Sequence, residues 1–195
     1  MTDLISPIPS EDAAWVRVAT PLLAEDLRDF CRDLERLYRI NPMLEFTEWR
    51  QIGSNHYFFQ AKNLSNGQEI ATEIHLEETE KGFKITYNNG LKSATFINIE
   101  ANSKEAILVI IDDYSKLPVT ERTQRLAEVD HSLVQWGQEL HRYLRNWQRW
   151  AWFPPFRWTM RRWQSMKPMG RRIAYMLIVI TLFEIVAIIV MSLWI

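Results

Sequence analysis

Four histidines, one cysteine and a few neighbouring acids are the residues from which this chain could assemble a reactive site. His56 and His75 fall on separate segments of alternating polarity, His75 on the polar side. His131 and His141 share a broad side of one helical segment but stand about 15 Å apart along its axis. No pair has the one-turn spacing of a helical metal site, and surface or rim positions suit all four. The single Cys31 excludes an internal disulfide and a cysteine-rich metal centre. It lies in a helical pattern beside Phe30 and Leu34, which suits a buried structural thiol. Asp112 and Asp113 close a strand-like run, and strand neighbours point to opposite faces, so the two carboxylates do not converge as an acid/base pair. Glu128 and Asp130 flank a helix start, where negative charge suits the dipole. The chain has no G-x-S-x-G, no phosphate loop and no dinucleotide fingerprint. No catalytic residue, metal ligand or cofactor is assigned. The remaining chemistry belongs to aromatic rings: Trp49, Tyr57, Phe58, Phe59, Tyr87, Phe96 and Trp136 are candidates to line a cavity, or simply to fill a core.

Those rings need elements to hold them. Ala14 to Thr20 alternates like a short strand. Leu23, Leu27, Phe30, Leu34, Leu37 and Tyr38 then recur at steps of three and four, an amphipathic helix that Asn41-Pro42 ends. From Met43 to Tyr114 the period becomes two. Residues 44–49, 56–64, 69–77, 82–88, 93–101 and 105–115 are six strand candidates, separated by turn signals such as Asn66-Gly67 and Asn89-Gly90. In the third, Ile70, Thr72, Ile74 and Leu76 face one way, and Glu73, His75 and Glu77 the other, as in a half-buried antiparallel meander. Leu126, Val129, Leu133, Trp136, Leu140, Tyr143, Trp147 and Trp150 step by threes and fours, so a long helix buries one side, against the sheet or as a coiled coil. Gly137 inside this helix costs about 1 kcal/mol relative to Ala and points to close approach by a neighbour.

Strand, helical segment, six-strand meander and long helix, with "RINPMLEFTEW" feeding the helix into a strand, resemble the START-like or SRPBCC superfamily over roughly residues 13–150. The resemblance implies an α+β helix-grip fold, with a curved antiparallel sheet wrapped around the last helix. It also implies a cavity between the two, often occupied by a hydrophobic ligand. Polyketide cyclases, coenzyme Q-binding chaperones and lipid-transfer domains belong to that superfamily.

The end of the chain departs from it, because such domains are usually soluble. Ile173 to Ile195 is apolar except for Thr181, Glu184 and Ser192. As a helix its 23 residues reach roughly 34 Å, enough to cross a hydrocarbon core. Charge is split along the chain. Residues 1–139 hold 14 basic and 23 acidic residues, for −9; the remainder holds nine basic and one acidic, for +8. Arg161, Arg162, Lys167, Arg171 and Arg172 precede the span, and no charge follows it, which puts the N-terminal domain in the cytoplasm behind a single-pass tail anchor. No signal peptide is visible at the N-terminus.

Four segments are expected: an extension at 1–12, the domain at 13–150, an interfacial belt at 151–172 and a transmembrane helix at 173–195. Trp147, Trp150, Trp152, Arg157, Trp158, Arg161, Arg162, Trp163, Lys167, Arg171 and Arg172 would meet lipid headgroups. "FPPF" at 153–156 should break any helix, with a short second helix over 157–166. The span accounts for the basic, Trp-rich stretch without nucleic acid. Glu184 either contacts a membrane-protein partner or its own copy, or sits protonated in lipid. Two functions compete. One is a tethered domain binding a lipid, quinone or similar apolar molecule. The other is an accessory or assembly subunit docked through its helix. An enzyme of cyclase or hydratase type lacks a visible constellation.

Overall fold

The structure is a computed structural model and describes residues 13–102, 105–116, 118–166 and 168–193; the expected extension at 1–12 lies outside them. Seven strands form one antiparallel sheet: β1 (Ala13–Ala19), β2 (Leu44–Gly53), β3 (His56–Asn63), β4 (Glu69–Thr79), β5 (Gly82–Tyr87), β6 (Ala94–Ala101) and β7 (Ala106–Asp113). Their spatial order is β1-β7-β6-β5-β4-β3-β2. The meander β2 to β7 is thus continuous, and the first strand closes on the last. The helical segment between β1 and β2 carries the chain from one edge of the sheet to the other.

That segment is two helices, α1 (Ala24–Arg32) and α2 (Leu34–Arg39). Asp33 divides them, and its carboxylate accepts from the Arg36 amide as the cap of the second. The apolar spacing runs through the break unaltered, so a single helix was the natural expectation. Cys31 is fully buried in α1, and burial pushes its thiol up to about 12. With so little thiolate, the native chain should react with a maleimide at pH 8 far more slowly than the urea-unfolded chain, measured by mass shift.

The long helix α3 (Val119–Trp150) packs on the inner face of the sheet. Leu133, Trp136, Leu140, Tyr143 and Leu144 are buried with Ile74, Ile85, Ile97, Leu108 and Ile110 in one core. The sheet wins over a coiled coil because a broad apolar face is already present. The stripe is not buried throughout: Trp150 is largely exposed, and the side chains of Leu126 and Val129 lie outside the described residues.

Glycine decides two contacts. A Cβ on Gly137 would stand 2.8 Å from Val16 Cγ2 and 3.2 Å from Val18 Cγ2, so the predicted close neighbour is β1. A Cβ on Gly82 would stand 2.0 Å from the Ile97 carbonyl oxygen, at φ +151°. Backbone cannot yield as a side-chain tip can. Gly82→Ala should therefore destabilise by about 1–3 kcal/mol, read from the urea midpoint.

Two further helices follow, α4 (Pro154–Ser165) and α5 (Pro168–Leu193). The prolines expected to break structure instead open α4. Phe153 is extended and Pro154 occupies the first turn, where a missing N–H costs nothing. Within α5, Ile173–Ser192 has mean hydropathy 2.8 and no buried residues; it is long and apolar enough to cross a membrane.

Candidate functional site

Between the sheet and α3 lies a cavity of about 350 Å³. Strand parity decides which side chains enter it. On β3 the inward row includes Phe59 and on β4 it is Ile70 and Thr72, while Tyr87 ends the inward row of β5. Leu133 and Trp136 of α3 form the opposite wall, and Tyr38 of α2 projects between them. The rim comprises the turn around Asn63 to Glu69, the turn from Asn89 to Lys92, and Asn41 and Leu44 after α2.

The apolar wall is interrupted by a polar floor. Asp112 is almost wholly buried and accepts from Lys92 Nζ at 2.5 Å and from Thr95 Oγ1 at 2.5 Å. Tyr114 OH lies at 3.5 Å from the same carboxylate. Thr95 Oγ1 is 2.9 Å from Tyr87 OH, which in turn bonds Tyr38 OH. The carboxylate is an acceptor only, so it fixes the proton order: Thr95 donates to Asp112, Tyr87 to Thr95, and Tyr38 to Tyr87. Burial opposes the charge on Lys92, but Asp112 outweighs it and holds the ammonium above its ordinary pKa. Burial, reinforced by Tyr87 for Tyr38 and by Asp112 for Tyr114, pushes both phenols up, so they stay protonated.

The predicted rings therefore separate. Phe59, Tyr87 and Trp136 reach the cavity. Trp49 and Tyr57 do not; they pack beside it, Trp49 stacked on Phe59 at 5.5 Å and Tyr57 6.1 Å from Trp49. A bulge at Thr47 lets Phe46 and Trp49 both face inward despite their odd spacing. Phe96 needs correction: it pairs with Ile111 on the outer face, while Thr95 and Ile97 face in. Phe58 also faces out, under the Arg50 guanidinium. The expectation that Asp112 and Asp113 diverge holds, yet it hid the buried one. Parity alone could have found it, because Asp112 continues the inward row Leu108, Ile110.

The histidines also carry a relation that the sequence did not suggest. His56 and His75 stand opposite each other in register and stack at 3.7 Å, with Glu73 at 3.1 Å from His56 Nε2.

The C-terminal belt divides in the same way. Trp147 is held in the domain rather than free: Arg36 lies 3.9 Å over its ring, and Tyr143 stacks on it at 6.1 Å. Phe156, Met160, Trp163 and Gln164 form the inward row of α4, whereas Arg157, Trp158, Arg161 and Arg162 lie outward and are exposed. Trp150 and Trp152 are exposed beside them. Arg171 donates to the carbonyls of Trp163, Gln164 and Met166, closing the end of α4. Burial, with Arg39 nearby, lowers its pKa. Lys167 and the Arg172 side chain lie outside the described residues.

The Arg157 guanidinium stands 5.9 Å from the Trp147 ring, which ties the start of α4 to the end of α3.

No family model matches the sequence, and no curated protein matches it. Solved structures are similar. The Zhui aromatase/cyclase from Streptomyces sp. R1128 matches with TM-score 0.52 and 11% identity, over 71% of this chain and 96% of that one. A protein from Mycobacterium smegmatis gives 0.52 and 8%, over 69% and 92%. A conserved protein from Geobacillus kaustophilus gives 0.50 and 9%, over 69% and 95%. Sheet order, the packing of α3 and these likenesses agree.

The fold is helix-grip. At these identities the likeness concerns the fold alone, so the chemistry of this helix-grip chain rests on its own cavity.

Proposed function

We propose that this chain is a membrane-held helix-grip domain that takes a hydrophobic molecule into the cavity between its sheet and α3. The observation that carries this reading is the cavity itself, walled by Phe59, Ile70, Leu133 and Trp136 and open at a loop rim. An apolar occupant gains about 25 cal/mol for each Å² of apolar surface it buries there. The apolar α5 supplies the tether, and its basic flank favours a cytoplasmic position for the domain. The exposed Arg157, Trp158, Arg161 and Arg162 would rest among headgroups.

The full-length chain, purified in mild detergent, should carry an apolar molecule detectable by mass spectrometry of an organic extract. Leu133→Trp, which fills the cavity, should reduce the recovered molecule at least fivefold. Recovery of only bulk phospholipid, equal in both proteins, defeats the reading. The tether is checked separately: the chain should stay in the pellet when membranes are washed with alkaline carbonate.

Glu184 favours a second reading. On the exposed surface of α5 an acid in hydrocarbon is costly, by about 2.5–3.5 kcal/mol on insertion scales, unless something pairs with it. Docking to a membrane-protein partner or to a second copy would relieve that cost. Glu184→Leu should then remove partners seen in mild-detergent pull-downs; an unchanged set speaks against docking.

A further inference from the structure

The polar floor limits what can fill the cavity. Lys92 Nζ has three N–H groups and spends one on Asp112, among the described residues; its side chain remains 30% exposed and lines the cavity. Tyr38 is the head of the donor chain. Tyr38 lines the cavity and its hydrogen is committed to Tyr87, so what its hydroxyl has left for a ligand is an acceptor. The order is held at its far end, where Asp112 accepts from both Thr95 and Lys92. Inside the polar rim of Asn41, Asn63, Asn66 and Gln68, the floor therefore offers one strong donor and one acceptor beside Phe59, Ile70, Leu133 and Trp136. A wholly apolar occupant would strip water from both without replacing it, which costs about 1–3 kcal/mol for each group left unpaired.

We propose that the ligand is an apolar molecule ending in a hydroxyl group of phenol or alcohol type. Its oxygen accepts from Lys92 and its hydrogen is donated to Tyr38. This inference rests on the hydrophobic-cavity reading and adds the polar end. It separates the site from one for plain hydrocarbon chains, which present nothing to either residue.

Naphthol and methylnaphthalene test it, since they share a ring body and differ by hydroxyl against methyl. Each is added to the full-length chain in one detergent, and the bound fraction is read by native mass spectrometry. Wild type is compared with Lys92→Met and Tyr38→Phe, so partition into micelles cancels within each probe. The expected result is naphthol binding weakened at least fivefold in both variants, with a smaller change for methylnaphthalene. Circular dichroism melts show whether each variant is folded. If Lys92→Met is not, Tyr38→Phe decides alone, because it keeps the ring and the charged pair. If both probes bind wild type and the variants alter them equally or not at all, the polar-end inference is wrong and the cavity reading stands. If neither probe binds wild type, both are wrong.

Discussion

Trp136→Ala should lower folding stability by about 3–5 kcal/mol. The indole is 1% exposed and lies at the middle of the core. Its Nε1–H donates to the Leu37 carbonyl at 3.2 Å, and its ring stands 5.5 Å from Tyr38. It thereby ties α3 to α2 as well as to the sheet. Truncation removes those contacts together and leaves a void continuous with the cavity. The surroundings cannot collapse into it, because the cavity walls are held by strand hydrogen bonds. Trp136→Phe separates the contributions. It keeps most of the ring volume and loses the N–H, so a smaller loss is expected, roughly 1–3 kcal/mol. Urea unfolding followed by circular dichroism measures both; equal losses would show that the hydrogen bond, not the packing, dominates.

The same residue shows why much of this fold is legible from sequence. Apolar steps of three and four, and alternation by two, are imposed by the two backbone geometries. The strands at 56–64 and 69–77 appear as His56–Asn63 and Glu69–Thr79 for that reason. Legibility fails where a local event leaves periodicity intact. Asp33 caps a new helix without disturbing the apolar stripe. Pro154 and Pro155 are helix breakers in the interior but helix openers at the first turn, and only the extended Phe153 decides between these roles. The bulge at Thr47 shifts parity within one strand, which no alternation rule anticipates.

The candidate site was half legible. Phe59, Tyr87 and Trp136 were reachable from ring type and phase. Ring content favours Phe96, but parity decides against it: its neighbours Thr95 and Ile97 define the inward row. Asp112 is hidden from a reading that treats it as half of an adjacent pair. Its real partners are Thr95, set opposite it by sheet register, and Lys92, brought in by the β5–β6 turn. Composition alone makes Trp147 a headgroup residue, yet Arg36 reaches it from more than a hundred positions away in sequence.

That remote pairing makes Asp112→Ala the second large effect, a loss of about 3 kcal/mol or more. The substitution leaves the Lys92 ammonium without its counter-charge and Thr95 without its acceptor, both beside the core. The lower end of the range for a broken buried pair applies, since Lys92 is 30% exposed and its head can turn toward water. Removing both charges behaves differently. With Asp112→Leu and Lys92→Met together, no stranded ion remains and apolar volume is kept, so the double variant should recover most of the loss. Asp112→Leu alone, Lys92→Met alone and the two together form a cycle with the wild type, and urea midpoints supply its corners. A double variant as unstable as Asp112→Ala would mean that the carboxylate stabilises the fold mainly through Thr95 and the tyrosine chain behind it. A recovered double variant that is stable but indifferent to hydroxylated probes would instead show the ion pair to be retained for the ligand, at no benefit to the fold.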